Sequence, residues 1–200
     1  MADFNLAYQN TMIAEGGYVN DPKDRGGETY MGISRANFPH WLGWPVIDSY
    51  IKNDLSGELL NAALKDNHSL QLQVRSFYKD QFWHPMFDQL DQDVANEIFD
   101  TGVNQGKSLG VRYFQAALNI LNRNQADYPN APTDGSMGAI TLACYHSLIA
   151  TQKYPSRSYN KIVKALLKLM NYFQMTRYAD IVERDEDQER FIFGWTERIM

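Results

Sequence analysis

The sequence predicts a mainly α-helical fold carrying one small β-hairpin near the N-terminus, and three observations support that expectation. Apolar residues recur at helical spacing through most of the 200 residues. β-Favouring runs are confined to residues 18–20 and 29–33, on either side of the turn-rich segment "DPKDRGGE". No internal repeat or low-complexity segment interrupts the pattern.

In chain order, Phe4, Ala7, Tyr8, Thr11, Met12 and Glu15 share one face of a first helix; Asp3 can cap its start and Gly16-Gly17 supplies a stop. Glu15 is therefore expected on the last turn. The two β runs then form a small irregular hairpin. Amphipathic helices are expected near 55–65 and 69–83, the second broken at Pro85 in "FWHPMF". Beyond Asp91-Gln92-Asp93 the helical pattern returns in "VANEIFDTGVNQG", "SLGVRYFQAALNILN", "GAITLACYHSLIA" and the stretch from Ser158 onwards. These make four or more helices, with the loop "NRNQADYPNAPTDGSMG" between the second and third.

Two hundred residues suffice for one large or two small domains with a core that needs no metal or disulfide to fold. Apolar residues at 44% and aromatics at 13% exclude a disordered chain. A net charge of −5 without a lysine or arginine block argues against nucleic acid as a partner. No apolar run reaches membrane-spanning length, so no membrane insertion is expected. The segment "MADFNLAYQNTMIAEGG" lacks a basic n-region and an uninterrupted apolar core. The chain is thus expected to be cytoplasmic as synthesised, reaching any target beyond the membrane after lysis or by non-classical export. Cys144, alone in an apolar helical run, reads as a small core residue.

The stretch around Glu15 suits glycosidic cleavage. That reaction needs an acid to protonate the leaving oxygen and a second group to place water or stabilise the oxocarbenium-like centre. Glu15 on a helix and Asp24 on the hairpin, nine positions later, can face each other across a cleft. A carboxyl in a desolvated pocket holds its proton to higher pH, which suits the acid; one in a polar turn stays ionised, which suits the stabiliser. The Thr29 hydroxyl could orient a water. Gly16, Gly17, Gly26 and Gly27 allow sugar rings close to the backbone. Taken singly, these residues read as a helix end, a turn former, a strand residue and turn glycines; their joint placement favours a site. Tyr18 and Tyr30 flank it and are the expected substrate contacts, whereas Trp41, Trp44, Trp83 and Trp195 read as packing residues.

The segment "EGGYVNDPKDRGGETYMGIS" closely resembles the signature of glycoside hydrolase family 108, muramidase-like proteins also labelled secretion activators. The resemblance implies a lysozyme-like helical fold with Glu15, before its two glycines, as catalytic acid. The order glutamate, aspartate, threonine is also similar to that of phage-type lysozymes, with the aspartate-to-threonine spacing one residue shorter, which implies roles for Asp24 and Thr29. "IFDTGVNQG", "VRYFQAALN", "DGSMGAIT" and "RFIFGWTER" resemble the peptidoglycan-binding region that follows the catalytic region in this family. The implied organisation is a catalytic region over 1–92 and a helical peptidoglycan-binding region over 93–200, packed together as one globular unit. Within "DGSMGAIT", Asp134 reads as a turn residue at a helix start rather than a ligand contact.

His40, His68, His84 and His146 lack metal-ligand spacing and no phosphate-binding loop appears, so neither metal nor other cofactor is expected. The expected activity is an N-acetylmuramidase cleaving the β-1,4 bond between N-acetylmuramic acid and N-acetylglucosamine in peptidoglycan glycan strands. It would serve as an endolysin with a holin-like or other export partner, or as a secretion-linked wall remodeller. The alternatives are a lytic transglycosylase and a non-catalytic wall-binding or secretion-associated protein. The acidic run "ERDEDQER" reads as a solvated helical face or a helix junction.

Overall fold

The computed structural model describes residues 1–12, 16–20 and 27–199. The chain forms two compact units, Tyr8–Trp83 and Met1–Ala7 joined with His84–Met200. The units part next to Pro85, which opens a 3₁₀ turn, Pro85–Gln89, after the preceding helix has ended.

The first helix, α1 (Phe4–Met12), crosses from one unit into the other. The expected hairpin is a three-stranded antiparallel sheet, with β1 (Tyr18–Asn20), β2 (Glu28–Tyr30) and β3 (Ile33–Ser34) in that order. The run expected over 29–33 splits because Met31 and Gly32 take φ of 45° and 76°. These two residues make a tight hairpin turn between the paired Tyr30 and Ile33.

Three helices back this sheet within the unit. The sequence reading assigned no element to α2 (Trp44–Lys52), which begins with proline in its first turn and buries Trp44 and Ile47. In α3 (Gly57–Asp66), Leu60 and Leu64 are buried one turn apart. The stripe Leu70, Val74, Tyr78 is buried along α4 (His68–Phe82), whose start is capped by Asn67 Oδ1 accepting the Leu70 N–H at 2.9 Å. Full burial of such side chains contributes about 1.5–3 kcal/mol each. Tyr78 also donates its hydroxyl to the Met31 carbonyl at 2.6 Å, tying α4 to the hairpin turn.

The second unit is built on α5 (Gln92–Gln105), α6 (Lys107–Leu121), α7 (Ala139–Ala150), α8 (Tyr159–Arg184) and α9 (Ile192–Glu197). Its first four helices match the expected helical segments to within a few residues, except that the last segment breaks after Arg184. There Asp185 accepts the Asp187 N–H at 3.2 Å and caps a 3₁₀ turn, Glu186–Phe191, so "ERDEDQER" is a helix junction. At Gly110, α6 lies so close to α5 that a Cβ would strike the Ile98 carbonyl oxygen. Ile162, Val163, Leu166 and Met170 of α8 are buried in the same core.

Candidate active site

The sheet fixes where the candidate residues stand. Thr29 is central on β2, opposite Val19 of β1 and Ser34 of β3. Strand alternation places Glu28 and Tyr30 on the other face, with Tyr18 opposite Tyr30. Thr29 is half-buried there.

The opposite face is occupied by contacts internal to the unit. Tyr30 is 2% exposed, its phenol oxygen accepts from Gln71 Nε2 at 2.8 Å and its ring stacks on Trp41. Burial raises its pKa, the Gln71 bond acting the other way. Tyr30, expected as a substrate contact, supports β2 with its ring from the core. Tyr18 donates its hydroxyl to Glu28 Oε1 at 2.9 Å and its backbone N–H to Asn61 Oδ1 at 2.6 Å. Burial, first, and the Glu28 carboxylate raise the Tyr18 pKa.

Glu28 anchors an ion chain to which the sequence reading gave no role. Its Oε2 lies 3.0 Å from Arg35 Nε, an ion pair without hydrogen-bond alignment, and Arg35 Nη2 donates to Asp48 Oδ1 at 2.6 Å. The guanidinium also sits 4.5 Å over the Trp44 ring, whose Nε1 donates to the Phe38 carbonyl. Each pair is partly exposed and contributes up to about 1 kcal/mol; the larger effect is to hold β2 and α2 in register around the hairpin. The sequence reading placed Glu28 at the end of the turn-rich segment "DPKDRGGE", one residue outside the expected β run, so its place on β2 was not read.

The glycines divide. At Gly17 a Cβ would collide with the Asn61 side chain, the group that receives the Tyr18 N–H, so α3 requires glycine there. Gly27 enters β2 with φ of +62°, a conformation open to glycine without Cβ strain. Gly16 is exposed, with open space around it. Glu15, Asp24 and Gly26 lie outside the described residues.

The remaining motif residues belong to the second unit. Asp134 Oδ1 accepts from the Ser136 N–H at 2.8 Å and from Gln115 Nε2 at 3.0 Å; these bonds, the Ser136 one first, lower its pKa. Gln115, fully buried, also donates to Thr141 Oγ1 and accepts the Gly135 N–H. Gly135 has φ of +78°, and its Cβ position is blocked by the Ser108 carbonyl. "DGSMGAIT" thus locks a loop onto α6 before α7. Cys144 is buried and donates to the Pro129 carbonyl at 3.4 Å, and burial raises its pKa. Glu97 on α5 is 2% exposed and accepts from Thr101 at 3.2 Å. Burial, then the charge of Asp100, pushes its pKa up to about 7. Among the described residues no group of three His, Cys, Asp or Glu side chains could hold a metal ion, and no helix is long and apolar enough to cross a membrane.

A small three-stranded antiparallel sheet in a mainly helical chain is consistent with a lysozyme-like fold. Residues 8–106 match the family model Glycosyl hydrolase 108, and residues 109–200 match Predicted Peptidoglycan domain. The chain belongs to the glycosyl hydrolase 108 family and is a peptidoglycan-acting glycoside hydrolase. Among solved structures it is similar to "Structure of Brucella abortus SagA", with 22% identity and a TM-score of 0.53 over 98% of this chain and 88% of that one. That likeness shows the mainly-α fold. No curated protein shows significant similarity.

Proposed function

We propose that the protein is an N-acetylmuramidase that hydrolyses the β-1,4 bond between N-acetylmuramic acid and N-acetylglucosamine. The observation that carries this reading is an intact Glu15-Gly16-Gly17 sequence inside the matched glycosyl hydrolase region. Glu15 protonates the leaving oxygen. Asp24 stabilises the oxocarbenium-like centre or activates water, and Thr29, on the face of β2 opposite Tyr30, orients that water. Gly17 lies against the Asn61 side chain that accepts the Tyr18 N–H, which fixes the start of β1. The protein acts on the wall after lysis or with an export partner.

Dye release from purified sacculi tests the assignment. Glu15→Gln removes the transferable proton while keeping shape, so cleavage should fall to background with thermal stability unchanged. Substantial residual cleavage by a folded Glu15→Gln chain would remove Glu15 from the mechanism.

A further inference from the structure

A cleft of about 270 Å³ opens at the end of the second unit, between the C-terminal end of α5, the later turns of α8, and α9 with the residue after it. Its polar groups are held in place. Arg198 Nη1 donates to Asn104 Oδ1, and Asn104 Nδ2 donates to Asp100 Oδ2 at 2.9 Å, so a relay from α5 orients the guanidinium. Gln105 is fixed at both ends, Oε1 accepting from the Tyr113 hydroxyl at 3.1 Å and Nε2 donating to the Gln174 carbonyl at 3.3 Å. Trp195 stacks on Tyr178 at 4.9 Å and on Phe191 at 6.0 Å, which makes it a wall. Arg177 is exposed at the cleft and makes no ion pair among the described residues.

Gln174 is not among the residues that line the cleft. It lies one turn before Tyr178 on the same face of α8, is 1% exposed, and neither of its amide atoms has a hydrogen-bond partner among the described residues.

Two guanidinium groups beside fixed amides suit a carboxylate, which accepts paired N–H donors from a planar fork. The cavity is smaller than the roughly 300–1,000 Å³ of sites enclosing drug-sized ligands, so it fits the end of a chain rather than a polymer strand. In peptidoglycan the lactyl carboxyl of muramic acid is amide-linked to the stem peptide, and the free carboxylates lie on that peptide. We propose that this cleft binds the carboxylate-bearing stem peptide of peptidoglycan and holds the wall while the glycan is cut. The choice of polymer rests on the muramidase reading; the anionic, chain-end character of the ligand rests on the cleft itself.

Calorimetric titration of the full chain with soluble N-acetylmuramyl pentapeptide tests it, with tetra-N-acetylchitotetraose as the peptide-free glycan. Arg177→Gln and Arg198→Gln should each weaken pentapeptide binding about ten- to hundredfold, the range for charged hydrogen bonds. Lys164→Gln, an exposed cation on α8 outside the cleft, should bind as wild type does. If Arg198→Gln unfolds, Arg177→Gln carries the test, since Arg177 makes no ion pair among the described residues. Wild-type affinity in folded Arg177→Gln, no pentapeptide binding by wild type, or an equal loss for chitotetraose would each overturn the proposal. Sacculus cleavage is read in the same series: a chain that binds pentapeptide through the arginines yet cuts nothing supports the cleft and refutes the hydrolase reading.

Discussion

Thr29 and Tyr30 are chain neighbours with opposite fates. Thr29 is half-buried on one face of β2, while Tyr30 is sealed against Gln71 and Trp41 on the other. The sequence reading put Thr29 in the site and Tyr30 on its flank, without showing which face the core would claim. Thr29→Ala should therefore leave the Tyr30 packing intact and slow hydrolysis by less than Asp24→Asn. The latter removes a charge whose loss typically costs about 2.7–4 kcal/mol, roughly a hundred- to thousandfold in rate. Initial rates on sacculi check the order. If Asp24→Asn retains nearly full activity, Asp24 only shapes a turn, since asparagine makes the same side-chain-to-backbone bond. Asn61 and Gln115 were not legible, because their importance comes from partners 43 and 20 residues away, Tyr18 and Gly135.

Helices with long apolar stripes were legible to within a few residues, since apolar residues recur at helical spacing along α4 to α8. The failures occurred where local preference and tertiary contact diverge. Met31 takes a left-handed φ that its side chain does not favour, held by Tyr78 from α4, and so divides an expected strand. Helix α2 is short and begins at a Trp-Pro pair that reads as a loop. Packing between elements also gives a test. Gly110→Ala forces a methyl group onto the Ile98 carbonyl and should destabilise the protein by about 1–3 kcal/mol. Gly138→Ala, with open space at its Cβ, should change stability far less. Urea melts of the two variants make the comparison, and equal midpoints would mean that α5 and α6 can separate freely.

At the scale of the molecule, the buried Glu97 makes stability depend on pH. The folded chain keeps its proton up to about pH 7 whereas the unfolded chain releases it near the ordinary carboxylate value of 4.5. Between those values the unfolded state binds fewer protons, so stability falls as pH rises through the window, by about 3 kcal/mol in full. Glu97→Gln keeps the acceptor for Thr101 and removes the titration. It should flatten that slope and be more stable than wild type at pH 8, as urea melts at pH 5 and pH 8 would read; an unchanged slope would assign the pH dependence elsewhere. The extent of the two compact units was not legible in the sequence, because Pro85 rather than any composition shift marks where they part. The central claim is hydrolysis of the muramic acid linkage, and it is tested most directly by digesting sacculi in ¹⁸O-water and analysing the new sugar ends by mass spectrometry. The account predicts reducing N-acetylmuramic acid ends carrying one heavy oxygen, produced by wild type and not by Glu15→Gln; 1,6-anhydro ends, or reducing ends on N-acetylglucosamine instead, would contradict it.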